Sequence, residues 1–263
     1  MKRNRLQRVF VLLAALSFVV VACRGQESAA GTTSHANQLR QLSSNDWTKR
    51  AQAYERLRSD LVELRQPNVR VALLDLLNRE NHVVEKALRE SHEQVGASGV
   101  YGEEYGQYVA ELGETVDTFA DWNDPRQVCI FTREAYDPGS QFAAKIASHA
   151  NVSVPCLKEM YVSDLAVVRG NAAAVLVRTL GNSGSLDAVT ADEIRKIIMQ
   201  ALHDPKESVR SGTVSALGKF GGRDMLPALR QVAETDSAAE VQGHSIRTQA
   251  AKAIMAIEKR TEK

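Results

Sequence analysis

Asp204-Pro205-Lys206-Glu207-Ser208-Val209-Arg210-Ser211-Gly212-Thr213-Val214-Ser215-Ala216-Leu217-Gly218, continued by Lys219-Phe220-Gly221-Gly222, has the pattern of one complete helix with its start and its stop. Asp204 and Pro205 suit the N-cap and first turn of a helix. Val209, Thr213, Leu217 and Phe220 then fall on one stripe at helical spacing, and the glycine pair ends the run. The wording recurs. Val168-Arg169 is followed by Ala172 and Val175, and Ile246-Arg247 by Ala250 and Ala253, as Arg210 is by Thr213 and Ala216. These arginines stand 41 and 37 residues apart. A period of that size is a signature of stacked repeats.

Outward from this phrase the pattern loosens. Asp124-Pro125, with Val128 and Ala135, repeats the opening one period upstream, with Cys129 where arginine would stand. Pro67-Asn68-Val69-Arg70-Val71-Ala72 is a fragment of it. The intervening segments read as helices. Leu165, Val168, Ala172, Val175, Leu176 and Leu180 share a face that Gly181 closes. Thr190-Ala191-Asp192-Glu193 has the form of a capping box ahead of Ile194, Ile197, Ile198, Ala201 and Leu202, which leaves Leu180 to Val189 as loop. Asp224 to Glu234 and Ile246 to Ile257 give two more helices. Upstream, Asn45 caps a helix through Trp47, Ala51, Tyr54 and Leu57, and Pro67 starts another. Glu103 to Ala120 offers Tyr105, Tyr108, Val109, Leu112, Val116 and Phe119 as a core stripe. No run reads as a strand.

The phrase Asp204-Pro205…Val209-Arg210…Ala216-Leu217-Gly218, with Val154-Pro155…Leu157…Met160…Asp164…Val168-Arg169…Ala172, resembles the HEAT-repeat family, including its bilin-lyase-like subgroup. The resemblance is closest over 150–260, looser over 103–149 and fragmentary over 38–95. It implies an all-α fold, an α-solenoid of antiparallel helix pairs stacked side by side. It also implies a ladder in which aspartates and arginines pair between neighbouring turns, here Asp164, Arg169, Asp204, Arg210, Asp236 and Arg247. Short side chains suit such a stack, because they let helices approach closely.

The N-terminus carries an address. Residues 1–8 are basic, and 9–22 are apolar apart from Ser17. As a helix the 14-residue run is about 21 Å long, short of the ~30 Å hydrocarbon core but suited to the h-region of a signal peptide. It ends in Val20-Val21-Ala22-Cys23, which resembles the lipobox of bacterial lipoproteins, whose cysteine is lipidated and becomes the mature N-terminus. Ordinary cleavage nearby, or an uncleaved anchor, are the alternatives. The expected organisation is a signal peptide over 1–22, a polar tether over 23–37, degenerate helical repeats over 38–95, a Gly-rich loop over 96–106 and the repeats proper over 103–263. The expected location is the cell envelope, lipid-anchored through Cys23, or else secreted or periplasmic.

The 263 residues are 44% hydrophobic and balance 33 Lys+Arg against 32 Asp+Glu. Without residues 1–22 the net charge is −3, which argues against tracking a nucleic-acid backbone. The histidines are scattered, and neither HExxH nor CxxC spacing occurs, so no metal or cofactor is expected. Gly181-Asn182-Ser183-Gly184-Ser185 lacks the closing glycine of a nucleophile elbow. Cys129 and Cys156 form a disulfide or remain two buried thiols; the sequence leaves both open. Tyr101 and Tyr105 in the Gly-rich segment are the candidate partner-contact aromatics, although Tyr105 also lies on the core stripe. The expected function is a membrane-tethered, non-catalytic scaffold that holds an unidentified protein on the concave face. The alternative is an enzyme or enzyme subunit related to the bilin-lyase-like proteins.

Overall fold

The computed structural model describes residues 36–91, 102–134, 141–182, 186–237 and 245–262. Among them every regular element is helical, and the fold is an all-α solenoid. The signal segment 1–22, Cys23, Tyr101 and residues 183–185 lie outside the described residues. Contacts divide the chain into two units, one ending at Leu76 and the other starting at Leu77.

The first unit holds α1 (Trp47–Arg58), a 3-10 turn (Glu63–Arg65) and the opening of α2 (Pro67–Glu90). Asp46, not Asn45, caps α1; its carboxylate accepts from the Thr48 N–H at 2.9 Å. Ala53, Tyr54, Leu57, Val69 and Leu73 are buried. So is Arg50, whose Nη1 donates to the Ser44 and Asn45 carbonyls at 2.9 and 3.1 Å.

In the second unit α3 (Glu103–Asp117), α4 (Pro125–Glu134) and α5 (Gln141–Ser148) precede three helix pairs. The pairs are α6 (Ala150–Tyr161) with α7 (Ala166–Gly181), α8 (Ala188–Ala201) with α9 (Glu207–Phe220), and α10 (Leu226–Thr235) with α11 (Ile246–Thr261). The links within the first two pairs are too short for anything but antiparallel neighbours. The second helices form one layer: α9 packs against α7 on one side and α11 on the other. Helix α7 is buried nearly all round, with Ala166, Val168 and every residue from Ala172 to Val177 in the core. That explains its apolar composition, since only an enclosed helix can be apolar on every face.

Small residues set the spacing. An added Cβ on Gly181 would come 2.4 Å from the Phe220 carbonyl oxygen, so the end of α7 abuts the end of α9 backbone to backbone. The sequence reads Gly181 as a helix stop; its larger constraint is this contact. Helix starts also differ from expectation. Asp187 caps α8 by accepting from the Thr190 N–H at 2.9 Å, so the helix begins before Thr190. A carboxylate is at least as good a cap as a hydroxyl, and the Thr190 hydroxyl itself donates to Asp187. Helix α9 likewise begins at Glu207, and Asp204 is released for another task.

Cys129 and Cys156 are joined as a disulfide, with Cα atoms 5.4 Å apart, tying α4 to α6. The pair closes a sequence separation of 27 residues. Chain entropy alone makes such a closure worth about 3–4 kcal/mol. Replacing both cysteines by alanine should therefore lower the melting temperature by about 10 °C, measured by circular dichroism against the unmodified protein.

Candidate functional site

The charged ladder is built from one local device. Arg169 and Arg210 each sit in the first turn of their helix and fold back, so that Nη1 meets the carbonyls six and five residues earlier. Arg169 Nη1 donates to Ser163 and Asp164 at 2.9 and 3.1 Å, and Arg210 Nη1 to Asp204 and Pro205 at 2.9 and 3.4 Å. Buried Arg50 does the same, and the Nε–H of Arg70 donates to the Leu64 carbonyl at 3.1 Å. The device anchors each arginine to the loop that enters its helix.

The other edge of the guanidinium reaches the next turn. Arg169 Nε and Nη2 donate to the two carboxylate oxygens of Asp204 at 2.9 and 3.1 Å. Arg210 does so to Asp236 at 2.8 and 3.3 Å. These are the bidentate pairings that a planar guanidinium favours. Asp164 takes its arginine from farther back: Arg89, at the end of α2, meets it at 3.2–3.3 Å. Each aspartate therefore receives an arginine from earlier in the chain, 75, 35 or 26 residues before it. Arg247 instead meets backbone, donating to the Glu234 and Asp236 carbonyls at 2.7 and 3.0 Å.

Asp204 ties the device together. One of its oxygens also accepts from the Lys206 N–H at 2.8 Å, so it organises the entry to α9 while it holds Arg169. Burial alone would raise its pKa. The Arg169 guanidinium, the Lys206 amide and the charge of Arg210 outweigh that and hold it below the ordinary 3.8.

Tyr105 is corrected as a partner-contact residue. It is fully buried in α3, and its hydroxyl donates to Glu80 at 2.8 Å, while Tyr108 donates to the other Glu80 oxygen at 3.1 Å. The buried Glu80 carboxylate needs such donors, and that requirement turns both rings inward. Trp122 is half-buried: its ring stacks on Phe131 at 4.9 Å and its Nε1–H donates to Asp117 at 3.0 Å. His82, His149 and His203 each bond, through ring Nδ1, the carbonyl four residues back. Among the described residues no His, Cys, Asp and Glu group has the arrangement of a metal site.

Among the described residues, three of the open cavities lie along the last repeats. The largest, about 560 Å³, has an apolar floor including Val177, Leu217 and Phe220. At its edge Arg195 is ion-paired with Asp224 at 3.0 Å, and Arg260 is held by the Gly218 and Gly221 carbonyls. A second, about 320 Å³, is lined by the Arg210–Asp236 rung. The third, about 350 Å³, is a groove between α9 and α11.

Residues 166–250 match the family model for HEAT repeats. That span runs from the start of α7 into α11 and contains Arg169, Asp204, Arg210, Asp236 and Arg247. No curated protein matches the chain.

Two outcomes test the ladder. Arg210→Ala should cost about 2–3 kcal/mol of stability, because its side chain is only 13% exposed and that of Asp236 only 5%. Lys158→Ala, which breaks the half-exposed pair with Glu193, should cost no more than about 0.5 kcal/mol; urea unfolding compares them. Because the Asp204 pKa is lowered on folding, its contribution is complete above about pH 4 and is lost as pH falls through the folded value. Asp204→Asn should lower stability at pH 7 and flatten the stability profile below pH 4.

Proposed function

We propose that the protein is a membrane-tethered scaffold that holds another protein on its HEAT-like repeats and performs no catalysis of its own. The observation that carries this reading is the layer α7–α9–α11. Arg169 on α7 pairs with Asp204 in the turn that enters α9, and Arg210 on α9 pairs with Asp236 at the end of α10, while Ser215, Lys219, Lys252 and Ala256 remain open to solvent. A rigid layer with a free face is what a binding surface requires, because little ordering entropy remains to be lost on association. We propose that this layer is the concave side of the repeats and that the partner lies on it. The charged groups at the largest cavity are already engaged with each other or with backbone, which favours a structural role for them over a chemical one.

The tether rests on the basic segment, the short apolar run and Cys23. The Cys129–Cys156 disulfide supports export, since such bonds persist in oxidising compartments. The proposed location is the cell envelope.

Expressed as the full chain in a bacterial host, the protein should fractionate with membranes, and mass analysis should find lipid on Cys23. Cys23→Ala should move it to the soluble fraction. A membrane-bound Cys23→Ala protein, or a mature N-terminus beyond Cys23, would overturn the lipid tether. A photo-crosslinker at Ser215 should capture a defined protein. Turnover of a substrate by the purified chain, with no protein captured, would overturn the scaffold.

A further inference from the structure

The three cavities differ in what their charges meet. In two of them the cations are answered by this chain's own groups: Arg195 by Asp224, Arg210 by Asp236, and Arg260 by two carbonyls. The groove between α9 and α11 is different. Lys219 on α9 and Lys252 on α11 line it, both exposed, and neither is ion-paired with a described residue. No carboxylate lines the groove.

Its floor is apolar. Val214, Gly218, Ala253 and Ala256 form it, and an added Cβ on Gly218 would lie only 3.3 Å from the Ala253 Cα and Cβ. The two helices are therefore in near contact beneath the groove. At about 350 Å³ it falls at the small end of ligand-sized cavities, which suits side chains rather than a large cofactor. Lys219 and Lys252, one from each helix, border this apolar floor with the same sign of charge, which suits an incoming carboxylate.

We infer that the groove between α9 and α11 docks a short acidic segment of the partner protein, with apolar side chains over Val214, Ala253 and Ala256 and carboxylates meeting Lys219 and Lys252. This rests on the scaffold reading and gives its partner a chemistry. A nucleic acid fits less well. The body of the chain is net acidic, two lysines make no track for a phosphate backbone, and the groove has no aromatic ring on which a base could stack.

The test is selection of a displayed random 12-residue peptide library on the full chain, followed by anisotropy with the enriched peptides labelled. Enriched sequences should combine Asp or Glu with Leu, Ile or Phe. The doubly reversed variant Lys219→Glu/Lys252→Glu should weaken their binding at least tenfold. Both substitutions are at exposed positions, so its melting curve should match that of the parent. Ala256→Trp, which fills the groove and keeps both lysines, should also abolish binding. Enrichment without acidic residues, or peptides that bind the reversed variant equally well, would overturn the inference. So would a single-stranded oligonucleotide that binds with the same lysine dependence and displaces the peptides. If crosslinking at Ser215 still captures a protein while the peptides fail, this inference falls and the scaffold stands; if both fail, the scaffold falls too.

Discussion

A guanidinium that must satisfy two turns at once is the constraint on which the rest of the second unit depends. In Arg169 and Arg210 one edge is occupied by carbonyls of the entering loop and the other by the carboxylate of the next turn. Lysine could not replace them, because an ammonium has no flat fork with two donor edges. The pairs are largely buried, and burial of two charges costs nearly as much as their attraction returns. Their value is therefore less in net stability than in register: a slip of one residue along either helix would leave a buried charge unanswered. This fixes the offset between successive helix pairs, and with it the positions of whatever the layer displays.

Close packing completes the constraint. Alanines and valines make up most of the buried surface of α7, and Gly181 leaves no room for a side chain against the Phe220 carbonyl, so α7 and α9 can lie close together. One repeat lacks its arginine. At that place Cys129 is bonded to Cys156, and a covalent link between α4 and α6 stands where the ion pair is missing. Arg89 meanwhile reaches Asp164 from the end of α2, so the aspartate at the next turn is still answered. Different chemistry thus meets the same requirement, which is that each turn be tied to the one before it.

The repeat and its helices were legible in the sequence because small and apolar side chains recur at fixed spacing, and that spacing is a local property. The direction of the ladder was not. Asp164 is only five residues from Arg169, yet its partner is 75 residues upstream, a pairing that follows from how turns stack and not from any neighbouring residue. Tyr105 was ambiguous for the same kind of reason. Glycines around it suggest exposure, but its helical position faces Glu80, which lies on another helix. Arg50 escaped notice because Lys49 precedes it, where the phrase has an apolar residue, although its carbonyl contacts match those of Arg169 and Arg210. The cysteines could be judged only when α4 and α6 were seen side by side.

The same rule that builds the ladder also separates structural charge from available charge. A cation buried in this fold has to be answered, so Arg169 and Arg210 are committed to holding the turns together and have nothing left to offer a partner. A cation at the surface is under no such demand, since water already solvates it. Exposure alone therefore says little about Lys219 and Lys252. What distinguishes them is their place over an apolar floor, between two helices that the ladder and the glycine contact hold at fixed separation. Recognition needs both conditions, a fixed geometry and an unanswered group. In this stack the residues that supply the first are different from those that supply the second, so a change in binding preference at the groove need not disturb the ladder beneath it.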